Sequence, residues 1–185
     1  MDFIMKVMNF IARTLGFIFC VVYNYPKLWI CTYIIRRRVK KMTLATITST
    51  DVLTIVTAVV AVPANLRLEL ADISYVLPTN EIIEYITNNI WQPYKKVRQF
   101  VYGENYDCDN FANSFFNLVQ ELQLGLCIGI EHLMVDAIHG HAINCFILDD
   151  RKFYNLEPQA DICSSWKVLE GTNIWFVYME GREKL

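Results

Sequence analysis

The sequence lacks the features that mark several common classes of protein. Its six cysteines are scattered, with no Cys-x-x-Cys pair and no Cys/His spacing suited to zinc. The net charge of −2 gives no overall bias toward nucleic acid. There is no internal repeat, no low-complexity tract and no carboxylate pair suited to acid–base chemistry. We therefore expect no metal, no cofactor and no nucleic-acid partner, and a reduced compartment.

Apolar residues are concentrated before residue 63. The stretch from Thr14 to Ile35 carries only Lys27 as a charge and is long enough to cross a bilayer as a helix. Pro26 and Lys27 in its middle weaken that interpretation, because proline kinks helices and a lysine at mid-depth is costly. Three alternatives stay open: an interrupted membrane span, an interfacial amphipathic hairpin, and a helical arm buried against the domain or a partner chain.

The composition changes near residue 63, which predicts two regions. Residues 1–63 form an apolar, mostly helical region, and residues 64–185 form the remaining domain. The basic run at residues 36–41 suits the cytoplasmic side of a membrane. We thus expect membrane association through residues 1–41 with a cytoplasmic C-terminal domain, and a soluble or virion-associated protein as the alternative.

Periodicity predicts an α+β layout after residue 63. Alternation at 66–70 indicates a half-buried strand, and helical spacing indicates a helix over about 81–91, capped by Thr79 or Asn80 and ended by Pro93. Residues 42–62 fit either a helix or extended structure. A further helix beginning at Cys108 is followed by strands near 126–135, 141–148, 152–158 and 174–180, which we expect to form an antiparallel sheet.

Cys108 is a candidate nucleophile because it stands where an amphipathic helix begins. Free backbone N–H groups at a helix N-terminus favour the thiolate and can also bind an oxyanion. Tyr106, Asp109 and Asn110 flank the thiol and could line a cleft, although each residue type is also common in turns and caps. The alternative for Cys108 is a small buried apolar side chain.

His141 and Glu157 are the candidate partners of the thiol. His141 begins an apolar strand, and pairing across a tight turn at 149–151 predicts that it lies opposite Glu157. An imidazole that acts as a base needs a third group to orient it, which Glu157 or Asn155 could supply. A half-buried structural histidine and a solvated carboxylate are the alternatives.

Three motifs carry a family resemblance over about residues 75–180. Tyr-Asp-Cys-Asp-Asn-Phe-Ala at 106–112, Gly-His-Ala at 140–142 and Leu-Glu-Pro-Gln at 156–159 together resemble the transglutaminase-like branch of the papain-like cysteine-enzyme superfamily. They are also similar to small phage-encoded proteins with Cys-x-x-Phe-Ala and Glu-Pro-Gln motifs. The resemblance implies a cysteine-bearing helix packed on an antiparallel sheet, with Cys108 as nucleophile, His141 as base and Glu157 as orienter, and with Gln159 in the cleft.

Two departures from the family pattern are visible. The acid is Glu157 where the family usually has aspartate, and Ile143 stands where an aromatic residue often follows His-Ala. The upstream oxyanion residue has only candidates, which are Gln92, Gln99 and Asn105.

The resemblance implies an enzyme whose function is hydrolysis or acyl transfer at an amide bond through a thioester. The implied substrates are a peptide, a peptidoglycan cross-link or a glutamine side chain. The alternative is a non-catalytic, membrane-associated interaction protein that retains the fold.

Overall fold

A computed structural model describes most of the chain, namely residues 2–98, 100, 107–135, 140–160, 163 and 165–181. Tyr106 was predicted to line a cleft, and it lies outside the described residues, as do His139, Gln99 and Asn105.

The chain begins with one long helix, α1 (Asp2–Val39), which continues through Pro26. Cys31, Ile35 and Val39, on its C-terminal part, are buried in the same apolar cluster as the helices and strands that follow. Arg36 donates from Nε to Leu122 O at 3.1 Å and from Nη2 to Glu121 O at 2.5 Å. These carbonyls end helix α5 (Cys108–Glu121), where a guanidinium is favourable. This arrangement corresponds to the predicted helical arm.

The predicted membrane span is wrong. In the part of the chain that the structure describes, no helix combines the length and the apolarity that crossing a bilayer requires. The membrane-associated localisation was based on that span and is corrected with it.

Residues 42–62, for which both conformations were open, are mainly helical. A short strand, β1 (Thr46–Thr48), leads into helix α2 (Ser49–Val59). Thr48 caps α2, and its hydroxyl accepts from Asp51 N at 3.2 Å. A 3₁₀ turn at Pro63–Asn65 follows. The predicted division of the chain at residue 63 stays a prediction.

A helix does begin at the predicted Thr79 cap, but it does not end at Pro93. It runs as α3 (Asn80–Ile86), a π-helical segment (Thr87–Trp91) and α4 (Gln92–Arg98). Proline has no N–H to donate, and the wider π turn ahead of Pro93 is the kind of irregularity at which helices accommodate such a residue. The expected break was therefore wrong.

The strands form two sheets. β1 pairs antiparallel with β3 (Ser74–Val76). The larger sheet has six strands in the order β2-β8-β4-β5-β6-β7. Its members are β2 (Arg67–Leu70), β4 (Ile128–Met134), β5 (Gly140–Ile147), β6 (Phe153–Leu156), β7 (Ser165–Lys167) and β8 (Ile174–Glu180).

The larger sheet is mixed, whereas the sequence predicted an antiparallel one. β2 pairs parallel with β8, while the other neighbours are antiparallel. The strand at β2 was predicted correctly, but its partner was not, because residues 67–70 lie opposite residues 176–179 at the far end of the chain.

The sheet is buried on both faces. One face belongs to an apolar cluster with α1, α3, the π segment and α5, and the other belongs to a cluster with α2. The run from Ala142 to Ile147 is buried at every position for this reason.

The hairpin between β5 and β6 has a register two residues away from the predicted one. Asn144 pairs with Leu156 and Ile147 with Phe153. The connection at 149–151 ends on Arg151 with φ 56°, the left-handed residue typical of a three-residue hairpin loop. A shift of two residues keeps each side chain on its predicted face.

Candidate functional site

The thiol of Cys108 sits at the first residue of α5, as predicted. The Asp107 side chain caps this helix by accepting from Asn110 N at 3.4 Å. Buried Asn144 on β5 fastens the helix to the sheet, because its Nδ2 donates to Ala112 O at 2.9 Å. The first turns of α5 are thus held against β5, and the half-buried thiol of Cys108 lies where the helix and the strand meet.

The pKa of Cys108 is raised, whereas a helix N-terminus alone predicts a lowered value. Burial is the main cause. A backbone hydrogen bond from Ala142 lowers the pKa, and the carboxylates of Asp109 and Asp107 raise it. The thiol also donates to Asp109 Oδ1 over 3.8 Å. The two acidic neighbours therefore oppose the thiolate that the sequence predicted.

His141 and Glu157 contact each other directly. His141 Nε2 lies 2.5 Å from Glu157 Oε2, and their side chains are 24% and 21% exposed. The hydrogen bond to Glu157 raises the pKa of His141, and partial burial lowers it. Glu157 Oε1 in turn accepts from Gln159 N at 3.3 Å. The carboxylate is thus held from two sides and favours an imidazolium at its partner.

The roles predicted for the Cys108 thiol and the His141 imidazole stay a prediction. Across the described residues, no hydrogen bond joins Cys108 Sγ to His141, although the thiol is bonded to the backbone of Ala142, the residue that follows His141 on β5. Asp109 acts on both groups, because its charge raises the pKa of each.

Asn155, the alternative orienter, is occupied elsewhere. Its Nδ2 donates to Glu131 Oε1 at 2.5 Å, and both residues are buried. Burial raises the pKa of Glu131 from 4.5 to about 8, and the bond from Asn155 lowers it. Glu131 Oε2 and Asn155 Oδ1 have no hydrogen-bond partner among the described residues. Nothing in the sequence indicated the Glu131–Asn155 pair. Glu131 lies on β4 and Asn155 on β6, and the register of the strands decides whether the two side chains meet.

The remaining candidates lie near the site or face away from it. Asn110 is exposed in the first turn of α5. Gln159 carries a buried Oε1 that has no partner within the described residues. Gln92 Nε2 donates to Ala160 O at 3.2 Å and to Cys163 Sγ at 3.0 Å, so this oxyanion candidate is bonded to the turn after β6.

The described residues contain no group of three or more His, Cys, Asp or Glu that could hold a metal ion. The cysteines whose state the structure describes are free thiols, namely Cys31, Cys108, Cys127, Cys145 and Cys163.

The sequence did not predict an exposed aromatic surface that the structure contains. This aromatic surface is made of Arg67, His132, Trp175 and Phe176. The His132 ring lies 5.2 Å from the Trp175 ring and 5.3 Å from the Phe176 ring, between centroids. The Arg67 guanidinium lies 5.8 Å from the centroid of Phe176. The Trp175 side chain is 44% exposed.

This aromatic surface adjoins the start of α5. His132 pairs across the sheet with Ala142, the residue whose backbone bonds to the Cys108 sulfur. Arg67 also donates from Nε to Glu69 Oε1 at 2.8 Å, which places a charged pair beside the rings. Only the parallel pairing of β2 with β8 assembles the surface, and no local pattern predicts that pairing.

No family model and no curated protein matches the chain. Solved structures that are similar to it in fold include the following two. The structure described as the PSL1a–E64 complex matches with a TM-score of 0.59 at 21% identity, over 72% of this chain and 50% of that chain. The Polyporus squamosus lectin bound to the human-type influenza-binding epitope Neu5Aca2-6Galb1-4GlcNAc matches with a TM-score of 0.54 at 21% identity, over 72% and 49%. The chain spans about half the length of these matched chains.

These similarities correct the predicted family and fold. The second structure is that of a lectin, neither structure is described as a papain-like or transglutaminase-like enzyme, and the larger sheet is mixed. The predicted hydrolase or acyl-transferase function is corrected with them. The predicted peptide or cell-wall amide substrate was implied by the same family resemblance and is corrected with it. The three motifs misled because each is short, and their order along the chain does not by itself specify a fold.

Proposed function

We propose that this chain binds carbohydrate on the aromatic surface of Arg67, His132, Trp175 and Phe176. The observation that carries the proposal is the partly exposed indole of Trp175, which lies in tilted contact with two further rings beside a charged pair. The similarity to about half of a glycan-bound lectin supports it.

The chemistry of a sugar ring suits this surface. A pyranose presents C–H groups on its faces and hydroxyl groups around its rim. The electron-rich face of an indole attracts the C–H groups, and a stack of this kind buries a large apolar area without long flexible side chains. Arg67 and Glu69 offer charged donors and acceptors to the rim hydroxyls, and hydrogen bonds to charged groups are the stronger ones.

The rings are held in place before a ligand arrives. His132 is on β4, Trp175 and Phe176 are on β8, and these two strands are neighbours in the middle of the sheet. The register between them shifts at His132 and Leu133, which brings the His132 ring into contact with both aromatic rings of β8. A rigid platform loses little entropy on binding.

The test is a calorimetric titration of the chain with Neu5Aca2-6Galb1-4GlcNAc and with its galactose and N-acetylglucosamine components. We expect Trp175→Ala to weaken binding by about tenfold or more, since loss of about 1.4 kcal/mol is tenfold. Trp166→Ala is a matched control. Trp166 is also 44% exposed but lies on β7, at the opposite edge of the same sheet.

Two results would overturn the proposal. One is the absence of binding of every sugar at millimolar concentration by a chain whose circular dichroism is that of a folded protein. The other is equal weakening by the two tryptophan substitutions, which would place the ligand elsewhere or indicate a general loss of structure.

The roles predicted for Cys108, His141 and Glu157 stay a separate proposal. The observation that supports these roles is the 2.5 Å contact between His141 Nε2 and Glu157 Oε2, because an imidazole that acts as a base needs a third group to orient it. The measurement is the pH dependence of Cys108 alkylation by iodoacetamide in the wild type and in His141→Ala. Reaction well below the pH of a free thiol that is lost in the variant supports the roles, and equal reactivity in the two proteins contradicts them.

A further inference from the structure

Helix α1 exposes a continuous apolar stripe, made of Leu15, Ile18, Val22, Tyr25 and Trp29. These side chains are between 51% and 73% exposed. Monomeric proteins rarely expose a contiguous apolar patch of more than a few hundred Å². The stripe is not used by the proposed carbohydrate surface, which lies on strands β2, β4 and β8.

The spacing of the stripe is that of a coiled-coil seam. Its residues are separated alternately by three and four positions, which is the a/d pattern of a heptad repeat. The sequence continues the same spacing toward the N-terminus at Ile4, Met8 and Ile11, within the same helix. A seam kept over this length at period 3.5 is typical of two helices that wind around each other.

Most of the stripe lies apart from the face of α1 that packs on its own domain, although Tyr25 and Trp29 at its C-terminal end also line a cavity with Tyr94 of α4. Asn24, Cys31, Ile35 and Val39 are buried on that face. At 3.6 residues per turn, the stripe is rotated from it by about 120°. A second helix can therefore lie along the stripe while the domain occupies the back of α1.

The charges of α1 are placed so that two copies would not repel each other along the seam. Lys6, Arg13 and Lys27 all occupy heptad position f, which is the position farthest from an a/d seam. No charged residue from Asp2 to Trp29 falls at the flanking e and g positions, where like charges would face each other.

We propose that α1 pairs with α1 of a second copy of this chain through the stripe. A two-fold pair brings identical surfaces together, and a seam that is apolar at each a and d position is complementary to itself. Covering the five exposed side chains would remove on the order of 600 Å² from water in each copy, close to the ~800 Å² per partner of a stable interface.

The test compares two isoleucine-to-lysine substitutions on the same helix by sedimentation equilibrium in the micromolar range. Ile18 is in the stripe and 51% exposed, whereas Ile34 is 44% exposed at position f, where the helix already carries cations. We expect twice the 21.6 kDa chain mass for the wild type and for Ile34→Lys, and the mass of one chain for Ile18→Lys. Circular dichroism of each variant establishes that the domain is folded.

A wild-type chain that sediments as a monomer throughout this range would overturn the proposal, as would a dimer that Ile18→Lys leaves intact. The same samples are mixed with phosphatidylcholine–phosphatidylserine vesicles. If the wild type remains a monomer and co-sediments with vesicles in a manner that Ile18→Lys abolishes, the stripe binds lipid and the proposal is wrong.

Discussion

The buried carboxyl of Glu131 makes the stability of this protein depend on pH in a direction that can be worked out. Glu131 is fully buried, and one of its two oxygens accepts a bond from Asn155 while the other has no partner among the described residues. Burial raises its pKa from 4.5 to about 8. Between these two pH values the folded chain keeps a proton that the unfolded chain has released.

Unfolding in that pH window therefore releases a proton, and raising the pH favours the unfolded state. The penalty develops as pH rises above the unfolded pKa of 4.5 and is complete once pH exceeds the folded value of about 8. At about 1.36 kcal/mol per pKa unit, it amounts to about 5 kcal/mol. This is a large part of the ~5–15 kcal/mol by which a typical domain is stable.

Replacing Glu131 with glutamine removes the titration and keeps the shape of the protonated acid. We expect Glu131→Gln to match the wild type within about 1 kcal/mol near pH 5, and to be more stable by several kcal/mol near pH 8.5. Urea unfolding followed by circular dichroism measures both, with an unchanged slope on urea showing that the unfolded state is unaltered.

The substitution Glu170→Gln controls for the loss of one negative charge, because Glu170 is exposed in the turn before β8. The reasoning is refuted if the stability difference between Glu131→Gln and the wild type is the same near pH 5 and near pH 8.5. It is also refuted if Glu170→Gln reproduces the pH-dependent gain.

Three further predictions concern the sheet and its surroundings. Glu157→Gln should lower the pKa of His141, because the hydrogen bond to Glu157 is the main reason that this pKa is raised. An NMR titration of the His141 ring that the substitution leaves unchanged would contradict this. Gly129→Ala should cost about 3 kcal/mol or more in urea unfolding, because a Cβ there overlaps the backbone of β8. Gly140→Ala should cost under about 1 kcal/mol, because a Cβ there meets only Leu133 O at 3.9 Å, an ordinary contact distance. Similar costs for the two variants would contradict this packing. Trp91→Phe should cost about 1–3 kcal/mol, because the buried indole donates at 2.7 Å to a carbonyl after β6, and a near-neutral change would refute that role.

The contact between His141 and Glu157 was predictable because it is local. The two residues flank one hairpin, and alternation alone assigns them to the same face of the sheet. The register was wrong by two residues, yet a side chain reaches a diagonal neighbour across a strand pair, so the contact survives the error.

The shift in the pKa of Cys108 was not predictable from the start of α5. The helix N-terminus favours the thiolate, but burial and the carboxylates of Asp109 and Asp107 outweigh it. Burial is a property of what packs over a residue, and a helix start in the sequence does not contain that information.

Local order along the chain is what the sequence by itself determined. The start of α5, the strand at β2, the Thr79 cap and the apolar run of β5 follow from periodicity and capping, which depend on residues within a few positions. The heptad spacing of apolar residues in α1 is also a property of the sequence alone.

Tertiary structure alone decided which distant segments meet. The parallel pairing of β2 with β8 builds the aromatic surface, and the register of β4, β5 and β6 buries Glu131 beside Asn155. The packing of α1 against α5 leaves its apolar stripe exposed. The pairing of strands that are a hundred residues apart depends on the packing of the whole core. The local patterns of alternation and capping are nearly the same for every arrangement of the same strands, so they do not select one.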